Sequence, residues 1–404
     1  MKRICLFLFV LLLCLPLVGC NQAATSSGQW KMTQEGYYTG AFSDIGYYYS
    51  LDGIAHYVDF STGANVCLCP KVGCLHDDEA SCEGALRNIS GKDMYYWNDG
   101  LYYIRRDDYG QHLYRRNSDG TGETAVATLC KQFLEEDRET FLNLRRTVLV
   151  DGFFYYTAEI SRPALLDSVV TGWDHERTVL MQLNVRTGAE QVLVDSMEEG
   201  YAADIIAARG TEVLYTYGRV IAEDEYETPE EYRQIRDKEI IKLVQMDTKK
   251  EKRKELFEKT GAELDATVGV YNGKLYYYQY VSTYVLRYFT YDMTTGEERK
   301  FYEGTINNLI GGRYQLSKKD QSDNEVWILQ DLQEGKDLPC EAFYEGHQVF
   351  LLENGNDTGI ILRHRAINMT GGVIREQTWS YVPMDALADG LQRSDCIDFY
   401  VYRK

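Results

Sequence analysis

Asn98-Asp99-Gly100-Leu101-Tyr102-Tyr103-Ile104 decides the fold class. An Asp-Gly pair stands between two apolar-aromatic runs, Met94–Trp97 and Leu101–Ile104. Gly, and less readily Asp, accepts the positive φ that a two-residue β-hairpin loop demands. Working outward, Asp107–Gly110 turns, Gln111–Asn117 is a third strand, Ser118–Gly122 turns again, and Thr124–Leu129 is a fourth. Four short antiparallel strands in about forty residues is the size of one β-propeller blade.

The unit repeats. The inner-hairpin signal recurs at Asp151-Gly152, Arg209-Gly210, Asn272-Gly273, Gly311-Gly312 and Glu345-Gly346. Aromatic or apolar runs follow: Phe153–Tyr156, Val213–Tyr217, Leu275–Tyr278, Tyr314–Leu316 and Val349–Leu352. A second signature closes third strands: Asp59…Thr62-Gly63, Asn184…Thr187-Gly188 and Asp292…Thr295-Gly296, with Asp247–Lys250 in the equivalent place. Tyr37–Phe42, Ile45–Leu51, Ile54–Phe60 and Ala64–Cys69 supply a first blade. The expectation is an all-β propeller of seven four-stranded antiparallel blades, with six or eight as the alternatives. Cys396–Tyr402 is a candidate to pair with the first blade and close the ring, which would remove an exposed edge. Pro229–Lys238, Phe133–Leu144 and Asp385–Leu391 read as helical insertions.

In a propeller the first-to-second and third-to-fourth turns share one face of the disc. The tight turns all fall in that set. The long segments Pro70–Lys92, Cys130–Arg145, Ser161–Glu176, Asp195–Ala202 and Ile221–Lys238 belong to the opposite face. Loops held by a rigid scaffold are where binding residues gather, so the built-up face is the expected functional one.

The N-terminus reads as an export signal. Lys2 and Arg3 precede the apolar run Ile4–Leu15, too short to span a bilayer comfortably. Leu17-Val18-Gly19-Cys20 resembles the lipobox of bacterial lipoproteins, in which the Cys is lipidated and becomes the new N-terminus. The expected organisation is a signal peptide at 1–19, lipidation at Cys20, a flexible tether over 20–35 and one propeller domain over 36–404. Removing residues 1–19 takes away Lys2 and Arg3 and no acid, so a formal charge of −19 becomes two units more negative. Such a surface repels nucleic acid.

The most unusual composition is Cys67-Leu-Cys69-Pro-Lys-Val-Gly-Cys74-Leu-His76…Cys82. Neighbours two apart on a strand, such as Cys67 and Cys69, lie about 6.6–7 Å apart at Cα, at or past the limit for a mutual disulfide. One reading joins both to Cys74 and Cys82 in two disulfides, which an exported location permits and favours. The other is a tetrahedral metal site, with zinc as the plausible ion, from four of Cys67, Cys69, Cys74, His76 and Cys82. His76 serves no purpose in a disulfide pair. Cys340 and Cys396 are candidates to pair, leaving Cys130 buried and unpaired.

Common catalytic signatures are missing: the chain has no Gly-x-Ser-x-Gly, no His-Glu-x-x-His and no phosphate-binding Gly-rich loop. His56, His112, His347 and His364 fall mostly in strands and read as packing residues, and His175-Glu176 lacks a second His four residues on. No catalytic or cofactor-binding residue is assigned.

The repeated Asp-Gly-Leu-Tyr-Tyr and Asp-x-x-Thr-Gly patterns resemble extracytoplasmic bacterial β-propellers of the TolB-like and quinoprotein-like superfamilies. With the lipobox and the Cys-Pro…Cys-x-His…Cys stretch, the chain is similar to propeller lipoproteins of Gram-positive Clostridia. The resemblance implies a fold and a location outside the cytoplasm on the outer face of the membrane. It carries no activity and places no quinone-site residues. The resulting expectation is a lipid-anchored module that binds or scaffolds a protein, peptide or glycan. The alternative is a glycan lyase or hydrolase with a site built from loops of the same face.

Overall fold

The computed structural model describes residues 28–33 and 40–403, apart from 52, 77–79, 88, 108–109, 135–139, 167–168, 200, 220–228, 283–284, 306–307, 320–325, 342–348, 356–357 and 369–372. Residues 1–27, with the expected signal peptide and Cys20, lie outside the described residues. So do Glu345-Gly346 and His347.

Seven four-stranded antiparallel sheets form a ring. The blades span 40–67, 89–128, 141–195, 202–260, 266–305, 308–338 and 349–403, in chain order. The opening hairpin is the inner one of blade 2, as its recurrence implies. Its loop is Asn98-Asp99, not Asp99-Gly100: Trp97 pairs with Gly100, and Asn98 and Asp99 both have positive φ. Asp151-Gly152 and Asn272-Gly273 adopt the same two-residue loop. The second signature works through its acid or amide. Asp59 Oδ1 accepts from the Ser61 and Thr62 N–H, Asn184 Oδ1 from Arg186 and Thr187, and Asp292 Oδ1 from Thr294 and Thr295. Asp331 does the same with Gln333 and Glu334 in blade 6, a copy without the Thr that sequence reading passed over.

The core is a ring of apolar clusters between neighbouring blades rather than one central mass. This gives much of the chain's tyrosine content its place. The rings fill the space between sheets, and several hydroxyls bond across it. Tyr155 of blade 3 donates to Gly210 O of blade 4 at 2.9 Å, Tyr95 of blade 2 meets Thr147 of blade 3 at 2.5 Å, and Tyr291 of blade 5 donates to Leu256 O of blade 4 at 2.9 Å.

Several expectations change. The described part of Phe133–Leu144 is not α-helical: a three-residue 3-10 turn occupies Lys131–Phe133, and Phe141–Leu144 opens the inner strand Phe141–Val150. Ser161–Glu176 is not a loop, because strands Phe153–Leu166 and Val169–Asn184 stay paired to their ends and extend blade 3 as a long hairpin. Val349–Gly355 is the inner strand of blade 7, not its second, and pairs with Gly359–Asn368. Ile397–Arg403 is the outer strand of that same blade rather than a strand shared with blade 1. The ring closes by side chains instead, with Phe60 stacked on Tyr381 at 3.6 Å and Asn65 Nδ2 donating to Phe399 O at 2.9 Å. Pro229–Arg236 is helical as expected, and Asp385–Leu391 becomes a 3-10 helix, Met384–Asp389.

The segment 28–33 is the largest addition. Lys31–Met32 forms a short strand on the inner strand of blade 4, with Lys31 opposite Ala208 and Met32 opposite Ala207. Residues 31–33 therefore lie along the innermost strand of blade 4, inside the ring.

Candidate functional site

The Cys/His loop is built on the rim between blades 1 and 2. The outer strand of blade 1, Asn65–Cys67, continues one residue to Leu68, whose N–H reaches Ala55 O at 2.8 Å. The chain departs at Cys69-Pro70 and returns at Gly84–Leu86 beside the same strand. There Ala55 N donates to Gly84 O at 3.0 Å and Leu86 N to Gly53 O at 2.7 Å. Both ends of the loop thus clamp one strand. Between them the chain reverses at Lys71–Cys74, helped by Gly73 at φ +74°, and His76 takes φ +58°. Little apolar mass supports it: Ile54, Cys82 and Ala85 form the cluster, with Cys67, Cys69 and Cys74 against it.

Polar ties hold its back. Arg116 of blade 2 donates to Glu83 O and Ala85 O at 2.9 and 3.2 Å, and Lys71 Nζ donates to Ser81 O at 3.1 Å. Gly120 in the outer turn of blade 2 presses on the loop's first residue. Its φ is +88°, and a Cβ there would lie 2.4 Å from Leu68 O. Gly120→Ala is expected to cost about 1–3 kcal/mol from backbone strain, with the clash adding to it. Urea unfolding of the two proteins measures the difference.

One donor atom from each of Cys69, Cys74, His76 and Cys82 lies within 4.8 Å of every other. Cys82 is buried, Cys69 and Cys74 partly so, and His76 is at the surface with Nδ1 3.5 Å from Cys82 Sγ. Cys67, the fifth candidate, lies outside this set. All five of these cysteine and histidine positions are therefore in one neighbourhood, and the four cysteines are free thiols here. Burial pushes the Cys69 thiol up, but the Lys71 and Gly84 N–H groups and the Cys82 and Cys74 thiols more than offset it, so its pKa falls below the ordinary value. Burial raises Cys82 and Cys67, each further raised by neighbouring sulfur. Three thiols and one imidazole are the donors a tetrahedral zinc site takes.

Among the described residues no disulfide joins the remaining cysteines: Cys340 and Cys396 pack against one cluster between blades 6 and 7, and Cys130 is fully buried. Three other histidines read as structural groups. His112 bonds Thr128 and Asp107, each at 3.0 Å, His175 approaches Thr178 at 3.3 Å, and His56 packs on Tyr49.

The two faces differ as expected, except that blade 7 joins its third and fourth strands through residues 384–396 on the otherwise trimmed side. Trp30, packed over Arg209 at 4.7 Å, sits at the inner turn of blade 4 on that side. Gly28, Gln29 and Trp30 line a cavity there with Asn272, Gly273 and Thr294, all turn residues of blade 5. Lys31 stands just inside with its side chain still exposed to solvent. Partial desolvation by the surrounding chain lowers its pKa, and Asp151 and Asp44, from the inner turns of blades 3 and 1, pull it back. Sequence reading missed this plug; the only signal was Trp30-Lys31-Met32 ending an otherwise polar tether.

No family model matches the chain, and no curated protein matches it. Solved structures similar to it include puromycin hydrolase, at 11% identity and a TM-score of 0.50, covering 93% of this chain and 55% of that one. An oligogalacturonate lyase in complex with manganese is 12% identical, with 78% of this chain and 81% of that one covered and a TM-score of 0.43. TolB from Acinetobacter baumannii is 13% identical, with 88% and 76% covered and a TM-score of 0.33. At these identities the likeness concerns the fold alone. Among the described residues no helix is long and apolar enough to cross a membrane.

Proposed function

We propose that the protein is a lipid-anchored extracytoplasmic propeller that binds a protein, peptide or glycan ligand on its built-up face. The observation that carries the reading is the path of the N-terminal segment. It enters the ring from the trimmed face, with Trp30 at the Arg209 turn and Lys31 paired to Ala208. Cys20 stands eight residues before Gly28, a reach of at most about 29 Å. Lipid on Cys20 would hold the trimmed face toward the bilayer and present the long loops outward. The extended hairpin of blade 3 then projects toward the ligand.

Two measurements test it. Full-length protein made in a lipoprotein-processing bacterium is expected in the membrane fraction, labelled by a fatty-acid probe. Cys20→Ser is expected to abolish the label. Equal labelling of the two proteins would sink the anchor. For the ligand, shortening the blade 3 hairpin is expected to abolish capture of cell-wall or host glycans and peptides on an array, while Lys274→Ala on the trimmed face leaves capture unchanged. The reverse pattern would place binding on the other face.

A glycan-active lyase or hydrolase on the same face is the second reading. What favours it is a polar group on the inner strands: Arg146 Nε lies 3.2 Å from Asp204 Oδ2 and Arg146 Nη1 donates to Thr267 at 3.1 Å, while Asp204 Oδ1 is buried without a hydrogen bond. Turnover of a glycan panel that disappears in Asp204→Asn would support it.

A further inference from the structure

We propose that Cys69, Cys74, His76 and Cys82 bind one zinc ion, and that this ion holds the crossing from blade 1 to blade 2. The reading is independent of the lipid anchor and of any ligand on the built-up face.

The first argument is convergence. Two disulfides need two separate pairs of sulfur atoms. Here four donor atoms from four residues approach a common centre, all within 4.8 Å. Zinc bonds sulfur at about 2.3 Å and imidazole nitrogen at about 2.0–2.1 Å, which places tetrahedral ligands roughly 3.5–4 Å apart. The Cys82 Sγ to His76 Nδ1 separation of 3.5 Å falls in that range.

The second argument is the imidazole. His76 is held in the left-handed region, at φ +58°, with Nδ1 toward Cys82. A non-glycine residue pays for that backbone, and a disulfide pair gains nothing from it. The third is close approach: a Cβ on Gly84 would stand 3.1 Å from Cys69 Cβ, so the returning end of the loop packs tightly against the first of the four ligands.

The fourth is need. The segment between Leu68 and Gly84 has only the small Ile54–Cys82–Ala85 cluster to bury. Val72 and Leu75 point to solvent, 99% and 82% exposed, so the loop does not fold by hiding its own apolar residues. A closed four-ligand site supplies the missing cross-link. With four protein ligands it has no open position, so the ion is structural. Cys67 stays a bystander thiol on the strand before the site.

The test uses full-length protein purified without reductant or chelator. Elemental analysis and native mass measurement are expected to find one zinc per chain, with the site's thiols becoming titratable only after chelation or acid. Cobalt loaded into the wild-type chain is expected to give the visible bands of a tetrahedral ion and the charge-transfer bands of thiolate ligands. That readout needs no variant to fold. Cys74→Ser and His76→Ala are expected to lose zinc, His76→Cys to keep it, and Cys67→Ser to keep it fully. The melting temperature should fall on chelation in the wild type and not in Cys74→Ser. Metal-free protein with Cys67, Cys69, Cys74 and Cys82 joined in two disulfides would overturn the proposal. So would zinc that survives His76→Ala and leaves with Cys67→Ser.

Discussion

Arg116→Met is expected to lower the stability of the protein by about 1–3 kcal/mol, the range for leaving buried hydrogen-bonding groups without their partner. The Arg116 side chain is only 5% exposed. Its guanidinium lies 2.5 Å from Glu123 Oε2 and also donates to Glu83 O and Ala85 O in the Cys/His loop. One side chain therefore joins blade 2 to the crossing segment beside Cys82. Methionine keeps much of the packing volume and leaves two carbonyls and part of a carboxylate without their donor. Lysine keeps the charge but not the fork, and is expected to recover less than half of the loss. Urea unfolding read at the aromatic signal measures both. The same cluster sets an acid limit. Burial raises the Glu123 carboxyl, but Tyr103, Arg116 and Arg105 donate to it and hold its pKa down to about 2. Its folded value lies below its unfolded one. The contribution is thus complete above the usual carboxylate pKa and is lost as pH falls through about 2. Glu123→Gln is expected to flatten the acid limb of the stability curve while changing little at pH 7 to 8 in slope. An unchanged acid limb would remove Glu123 from the account.

Tyr49→Ala is expected to cost a further class of stability, about 3–5 kcal/mol, because it opens a cavity at the closure of the ring. Tyr49 is fully buried and packs on Tyr47, Trp379 and Phe399, at ring separations of 6.1, 5.7 and 5.6 Å. Its hydroxyl accepts from Asn65 Nδ2 at 2.7 Å, and the same amide donates to Phe399 O. Blades 1 and 7 share no strand, so these contacts carry the closure. Beyond the loss in midpoint, the variant is expected to unfold over a broader transition, as the ring opens at this seam before the other blade interfaces give way. Tyr49→Phe keeps the ring and loses the hydroxyl, and is expected to cost about 1 kcal/mol with a sharp transition. Hydrogen exchange of the Gly46–Leu51 strand separates the two outcomes. Protection equal to wild type in Tyr49→Ala would mean that closure rests elsewhere.

The chain wrote its blades plainly where local chemistry suffices. A left-handed turn pair needs Asn, Asp or Gly, and a third-strand turn needs an acid or amide aimed at the next two N–H groups. Residues 98–100, 151–152, 272–273, 59–63 and 292–296 carry both signals in their own letters. The errors fell where the deciding contact is remote. Phe133–Leu144 has helical spacing, yet Leu142 and Leu144 turn toward the packing between blades 2 and 3, and a strand serves that better. Blade 7 differs because Val349–Gly355 pairs with Gly359–Asn368 as its inner hairpin, and the residues between them hold no Asp-Gly or Asn-Gly pair.

The Cys/His loop divides in the same way. That five residues of metal- or disulfide-forming type crowd into sixteen positions is a property of the letters. Which four come mutually closest, with Cys67 beside them, depends on where Pro70 and Gly84 send the chain relative to the strand at Ile54, and on Arg116 arriving from another blade. The sequence by itself determined the repeat, the strand periodicity and the asymmetry of the loops, because each rests on contacts within a few residues. Only the tertiary structure decided how the ring closes, where Lys31 goes and which side chains converge on one point. Those depend on contacts between positions as far apart as Asn65 and Phe399, and no local pattern encodes a distance across the ring.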